Sequence, residues 1–114
     1  MSKPMLAEHD VVIANGESLS TALDLDGGVL EGFVMPAAWT AATVSFEGSM
    51  DNVTYYECGD GTAEVSLVAD TGWIIAIPIG SINGLGRYVK VRSGTSVVPA
   101  NQGAARTITL LVRV

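Results

Sequence analysis

The stretch ATVSFEGSMDNVTYYEC, residues 42–58, decides the fold that we predict for this chain. Residues 43–46 favour extended backbone, and their side chains alternate between two faces. Residues 48–52 combine glycine, serine, aspartate and asparagine, which are typical of a sharp turn, and residues 54–56 return to a β-rich composition. The pattern therefore predicts two antiparallel strands joined by a polar turn.

The rest of the chain repeats this alternation of short β-rich runs and turn residues. Residues 87–92 alternate polar and apolar side chains and carry three of the six basic residues. Turn residues recur roughly every 8 to 12 positions, which is typical of a β-sandwich. We predict an all-β fold, a single-domain antiparallel β-sandwich of eight or nine strands over residues 8–114, preceded by a flexible N-terminal arm at residues 1–7. The apolar run at residues 73–79 contains Pro78 and is predicted to be a buried strand with an edge or an end.

The composition argues against several classes of function. A net charge of −6 is unsuited to an electrostatic grip on nucleic acid. No run approaches the ~18 consecutive apolar residues of a membrane span, so we expect no membrane partner. The first residues lack a secretory signal pattern, so we expect the protein to fold in a cytoplasm. The single cysteine, Cys58, is predicted to be a small buried hydrophobe, with a reactive or interchain thiol as the alternative.

Residue types that perform catalysis or bind metals are scarce. His9 is the only histidine and Cys58 the only cysteine, so metal sites built from several histidines or thiolates are excluded. The aspartates, among them Asp51, lie mainly in predicted turns, where they shape the backbone. The glycine-rich residues 80–86 precede a strand instead of a helix, so they lack the helix N-terminus that a phosphate-binding loop uses. We therefore expect no enzyme activity, no metal and no cofactor.

Residues 44–55, followed by residues 87–91, are similar to strands of discoidin-like (galactose-binding-like) jelly rolls. In those domains a strand ending in Gly/Ser leads into an Asp-Gly-like turn and an aromatic residue, and an Arg-Tyr-Val-Arg-type strand follows later. Here Asn52 stands at the glycine position of the turn. The resemblance implies a jelly roll whose loops at residues 51–54, 81–86 and 95–102 gather at one end, with Tyr55 or Trp73 stacking on a sugar. The partner or glycan contacts that it implies are Asp51, Asn52, Tyr55, Asn83, Arg87 and Asn101.

Several short segments, taken in order, look like small structural proteins of tailed bacteriophages. They are IANGESLS (13–20), MPAAWT (35–40), FEGS (46–49), RSGT (92–95) and RTITL (106–110). The resemblance implies a virion component. We expect a capsid decoration or cement protein, folded in the host cytoplasm and bound on the capsid surface as a homotrimer, whose partner is the major capsid protein or another virion protein.

Both ends of the chain have a predicted place in that assembly. Residues 1–7 are expected to lie across a neighbour, and residues 110–114 to offer an edge strand for β-augmentation. The alternative function is a carbohydrate-binding module of a phage head or tail fibre that mediates host attachment.

Overall fold

Short β-rich runs separated by turns form nine strands in residues 6–77 and 86–113, the part of the chain that the computed structural model describes. The strands are β1 (Leu6–Ile13), β2 (Leu23–Asp24), β3 (Val29–Val34), β4 (Val44–Ser49), β5 (Tyr55–Glu57), β6 (Ser66–Leu67), β7 (Ile74–Ala76), β8 (Tyr88–Ser93) and β9 (Arg106–Arg113). These described residues contain no helix, and so none with the length and hydropathy to cross a membrane. The predicted all-β fold is confirmed.

The strands form two antiparallel sheets that pack as a β-sandwich, as predicted. The four-stranded sheet has the order β1-β9-β3-β7, and the five-stranded sheet has the order β2-β8-β4-β5, with β6 paired to the start of β4. Strand partners therefore nest: β1 pairs with β9, β2 with β8, β3 with β7 and β4 with β5. This is one long hairpin, with its tip between β4 and β5, wound into two sheets, and it is the strand order of a jelly roll.

The core lies between the two sheets and is built from alternate residues of the long strands. Phe33 of β3 and Phe46 of β4 meet across the sheets in an edge-to-face contact, with ring centroids 5.8 Å apart. Buried aliphatic side chains surround this pair, among them Val11, Ile13, Val44, Val89, Val91, Ile108, Leu110 and Val112. The intervening residues point away from the core and form the outer faces of the two sheets.

The closing strand is central in its sheet, which corrects one prediction. β9 lies between β1 and β3 and is paired along both of its edges. The predicted edge strand at residues 110–114 is therefore wrong up to Arg113, because both edges already have partners. β1 begins at Leu6, which pairs with Arg113, so residues 6 and 7 of the predicted arm belong to a strand. Residues 1–5 of that arm lie outside the described residues.

β7 is an exposed edge strand, which corrects a second prediction. It pairs with β3 at one side of the four-stranded sheet. Trp73 and Ile74 are largely exposed, whereas Ile75 packs against the core. The predicted edge is present, but the predicted burial is wrong at residues 73, 74 and 76, because an antiparallel sheet can leave one of its faces in solvent; Ile77 is buried. Residues 78 and 79 lie outside the described residues.

Candidate functional site

The turn between β4 and β5, residues 50–54, is the tip of the long hairpin and is shaped by Asp51. Its carboxylate oxygen Oδ1 accepts hydrogen bonds from the backbone N–H groups of Val53 and Thr54, each at 2.9 Å, and from the Ser49 hydroxyl at 3.1 Å. These bonds, the one from Thr54 first, hold the pKa of the Asp51 carboxyl below its usual value. Asp51 therefore acts as a turn-forming residue, as the sequence predicts.

Asn52 and Tyr55 lie together at the base of this turn. Asn52 has a φ of 62°, in the left-handed region that asparagine tolerates. Its side-chain oxygen accepts a hydrogen bond from the Tyr55 hydroxyl. The ammonium group of Lys90 lies 4.4 Å from the centroid of the Tyr55 ring. One face of this ring therefore carries a cation, which leaves the opposite face for any stacking on a sugar.

Large apolar side chains project into solvent around the turn. Met50, Val53 and Tyr56 are each between 66% and 82% exposed, and we call them the apolar tip. A cleft of about 250 Å³ opens beside them, with Glu57 and Gly86 among its lining residues. Exposed apolar side chains that are grouped, instead of scattered singly, mark interaction surfaces.

Arg87 lies beside the tip, directly before β8. Its backbone N–H donates a hydrogen bond to the Ser49 carbonyl at 3.0 Å. Its guanidinium group holds the Asp24 carboxylate with two bonds of 2.9 Å, and these bonds lower the pKa of Asp24. Arg87 is therefore fixed next to the tip by contacts with β2 and β4.

The predicted contact residues divide between the two ends of the sandwich. Four of them come together at the tip: Asp51, Asn52, Tyr55 and Arg87. β8 is six residues long, and it begins at the tip. Asn101 is exposed in the loop that follows its last residue, at the opposite end of the sandwich. The prediction that three loops gather at one end is therefore wrong for residues 95–102. Asn83 lies outside the described residues.

An ion cluster occupies the outer face of the five-stranded sheet, and sequence patterns do not predict it; its arginine is buried, whereas 44% of the side chain of one of its glutamates, Glu57, is exposed. Arg92 of β8 points away from the core, yet only 5% of its side chain is exposed. Its guanidinium group contacts Glu47 at 2.6 Å, Glu57 at 2.6 and 2.9 Å, and Glu64 at 3.0 Å. We call these four residues the Arg92 cluster. The one sequence signal is that strand alternation places Glu47 and Arg92 on the same outer face.

The Arg92 cluster has three carboxylates for one guanidinium group, so its charges do not balance. Burial raises the pKa of Glu47, and the neighbouring Glu57 raises it further. Hydrogen bonds from Arg92 instead lower the pKa of Glu57. Glu47 therefore takes up a proton first as the pH falls, and Glu57 keeps its charge into more acidic solution.

Glu47→Gln is expected to stabilise the protein at neutral pH. Because the pKa of Glu47 is raised on folding, this group stabilises the fold below its unfolded pKa, and that stability is lost as the pH rises through the folded pKa. Glutamine keeps an acceptor for Arg92 without the charge. We expect urea denaturation to show a gain of roughly 1 kcal/mol at about pH 8 and almost none at about pH 4.

Glu8→Gln is the matched control, because Glu8 is exposed on β1, and we expect it to change stability little at either pH. A Glu47→Gln protein that is less stable than the wild type at about pH 8 would contradict the charge imbalance.

The single cysteine and the single histidine of the sequence lie in different environments. Cys58 is buried, as predicted, and burial raises the pKa of its thiol to about 12, with the Glu57 carboxylate contributing. A thiol of that kind is protonated at neutral pH and is a poor nucleophile. His9 is exposed on β1. Within the described ranges 6–77 and 86–113, no group of three or more His, Cys, Asp or Glu residues is arranged to hold a metal ion.

No protein-family model, no curated protein and no solved structure matches this chain. The resemblances to discoidin-like domains and to tailed-phage structural proteins therefore stay predictions from sequence motifs. The observations that bear on function are the jelly-roll strand order and the side chains at the tip.

Proposed function

We propose that this protein is a non-catalytic structural component of a tailed-bacteriophage virion, a capsid decoration protein that stabilises the head through protein–protein contacts. The observation that carries the proposal is the apolar tip, which stands in solvent on a turn whose backbone is fixed by Asp51. Grouped exposed apolar side chains are typical of surfaces that a partner covers. A turn already fixed by its own hydrogen bonds loses little conformational entropy on binding.

The fold and the motifs support the same function. Jelly rolls are frequent in viral capsid domains and in lectins, which is an argument by analogy of fold. The motifs similar to tailed-phage structural proteins favour the first of these two classes. The proposed partner is the major capsid protein or another virion protein, and the proposed assembly is a homotrimer at local three-fold positions of the capsid surface.

The charged groups of the five-stranded sheet also favour binding over catalysis. The Arg92 guanidinium is occupied by three carboxylates, and Arg87 is occupied by Asp24. Catalysis by side chains needs a nucleophile or an acid–base pair that is open to a substrate. These ionic groups are instead engaged with one another, and they hold the sheet that carries the tip.

Val53→Asp is expected to weaken binding to capsids at least tenfold, because a charge would enter an apolar contact. The test mixes purified protein with undecorated capsids assembled from the major capsid protein of the same phage and measures co-sedimentation over a range of concentrations. Val68→Asp is the matched control, since Val68 is a valine of comparable exposure that directly follows β6, at the other end of β4 from the tip. We expect Val68→Asp to bind as the wild type does.

The two ways in which this experiment can fail are distinct. If the wild-type protein does not sediment with capsids, the decoration function is wrong. If the wild type binds and Val53→Asp binds equally well, the virion role stands but the apolar tip is not the contact.

A carbohydrate-binding module of a phage head or tail fibre, which would mediate host attachment, is the second candidate function. The grouping of Asp51, Asn52, Tyr55 and Arg87 around one turn favours it. A sugar would stack on the face of the Tyr55 ring opposite Lys90. A glycan array tests this function: binding that Tyr55→Ala removes and Tyr56→Ala retains would support it, and a silent array would exclude the glycans displayed.

A further inference from the structure

The Arg92 cluster lies at the root of a small excursion from the sheet. Residues 58–65, which we call the flap, leave after β5 and return at β6. Asp60 shapes the turn of the flap, since its Oδ1 accepts two backbone hydrogen bonds from within that turn at 2.8 and 2.9 Å. Residues 59–63 are exposed, and the buried side chains of the flap are Cys58 and Val65. Residues 59–63 therefore have little apolar burial to hold them on the sheet, whereas Cys58 and Val65, at the two ends of the flap, pack in the core.

Two carboxylates at the root tie the flap to the sheet. Glu57, directly before the flap, makes two bonds to Arg92 at 2.6 and 2.9 Å. Glu64, near the end of the flap, makes a bond to Arg92 at 3.0 Å. Glu64 also accepts bonds from the backbone N–H and the hydroxyl of Ser96, at 3.1 and 3.0 Å. One guanidinium group on β8 thus holds both ends of the flap.

We propose that the Arg92 cluster is a pH-operated latch, which holds the flap on the sheet at neutral pH and releases it in acid while the sandwich stays folded. This role rests on the Arg92 contacts and is independent of the proposed place in a virion. The titratable and charged groups around Arg92 are Glu47 on β4, Tyr55 and Glu57 on β5, Lys90 on β8, and Cys58 and Glu64 on the flap. Carboxyl groups change charge between about pH 7 and pH 3, whereas thiols, phenols, ammonium and guanidinium groups ordinarily do not.

Glu47 and Glu57 take up protons in a defined order. Glu47 takes up the first proton, and its neutral carboxyl group can then donate a hydrogen bond to Glu57 without disturbing Arg92, so the latch holds in mild acid. Arg92 lowers the pKa of Glu57 in the closed state. The closed state therefore gains stability above the unfolded pKa of Glu57, and that stability is lost as the pH falls through the lowered pKa. The flap then opens below the usual pKa of a glutamate.

Cys58 reports the opening, because its buried thiol lies at the root of the flap. The intact protein is treated with a pyridyl disulfide, which reacts with thiols in acid as well as at neutral pH. The rate for urea-unfolded protein divided by the rate for native protein at the same pH gives a protection factor, and this ratio cancels the effect of pH on the free thiol. We expect the factor to fall about fivefold to tenfold between about pH 6 and pH 3.5, which is close to the most that protonation of one carboxyl group can give over that range. Circular dichroism and the fluorescence of Trp39 and Trp73, outside the flap, should stay native over that range.

Two variants test whether the pH response comes from Glu57 or from Asp60 in the turn of the flap. Glu57→Gln is expected to lower the protection factor about tenfold at pH 7 and to flatten its dependence on pH. Asp60→Asn keeps the acceptor that shapes the turn but removes its charge, so it should keep the wild-type dependence on pH. Glu64→Gln replaces Glu57→Gln as the test if that variant does not fold.

Three results would overturn the latch. The first is loss of protection at the same pH as loss of circular dichroism, which means global unfolding. The second is an Asp60→Asn protein that no longer responds to pH, which places the sensor in the turn of the flap. The third is wild-type behaviour in both Glu57→Gln and Glu64→Gln.

Discussion

Arg92→Met is expected to lower the free energy of unfolding by about 3–5 kcal/mol at neutral pH, the usual cost of removing one partner from a buried ion pair. Methionine replaces the aliphatic stem of arginine, so the packing of that stem is largely kept. The carboxylates of Glu47, Glu57 and Glu64 instead lose the cation that they share. Domains are stable by only about 5–15 kcal/mol, so this loss is a large fraction of the total.

The pH dependence of the Arg92→Met protein has a defined sign. Without the guanidinium group, close carboxylates repel one another, so folding raises their pKa values and the stability recovers as they are protonated in acid. Urea denaturation at about pH 7 and pH 5 measures both effects. Arg113→Met is the control, because Arg113 pairs with Glu31 while half of its side chain is exposed, and we expect a loss below about 1 kcal/mol. Equal losses in the two variants would contradict the role of Arg92.

Phe46→Ala is expected to cost about 3–5 kcal/mol of stability. Phe46 is 0% exposed, and its contact with Phe33 joins the two sheets, so alanine leaves a cavity between strands that are fixed by their own hydrogen bonds. Urea denaturation again gives the value. Tyr56→Ala removes an exposed aromatic ring from the tip and should change stability by no more than about 0.5 kcal/mol. A Phe46→Ala protein as stable as Tyr56→Ala would show that this contact does not hold the sandwich together.

The strand content and the sandwich are predictable from the sequence because the signals that specify them are local. The alternation in β4 and β8, and the turn chemistry of Asp51, depend on neighbours within a few residues. Whether a strand is central or at an edge depends instead on partners far along the chain. β7 and β9 are both apolar runs, yet β9 has β1 and β3 at its sides, whereas β7 lies at the edge beside β3. Pro78, in the run that contains β7, points to an edge or an end, but the apolar side chains of the two runs do not show which strand is central.

In the candidate site, too, the features set by neighbouring residues are predictable from the sequence, and those set by distant strands are not. Asp51 could be identified as a turn residue because it bonds residues two and three positions along the chain. Alternation places Arg92 on an outer face, where an arginine is usually solvated. Its burial comes from Glu57 and Glu64, which reach it through the register of β5 and the path of the flap. The separation of Asn101 from the tip likewise follows from the length and direction of β8, which tertiary pairing sets.

The nested pairing of the strands has a consequence for the order in which the chain folds. Ser49 and Tyr55 pair across a turn of a few residues, whereas Leu6 pairs with Arg113 at the far end of the described chain. The entropic cost of closing a loop rises with its length, so each pair forms more easily once the pair inside it exists. We therefore expect strand pairing to spread outward from the tip, with the non-local β1–β9 pair limiting a folding time of roughly milliseconds to seconds. The turn that we propose to contact the capsid would then be the first part of the molecule to take its final shape.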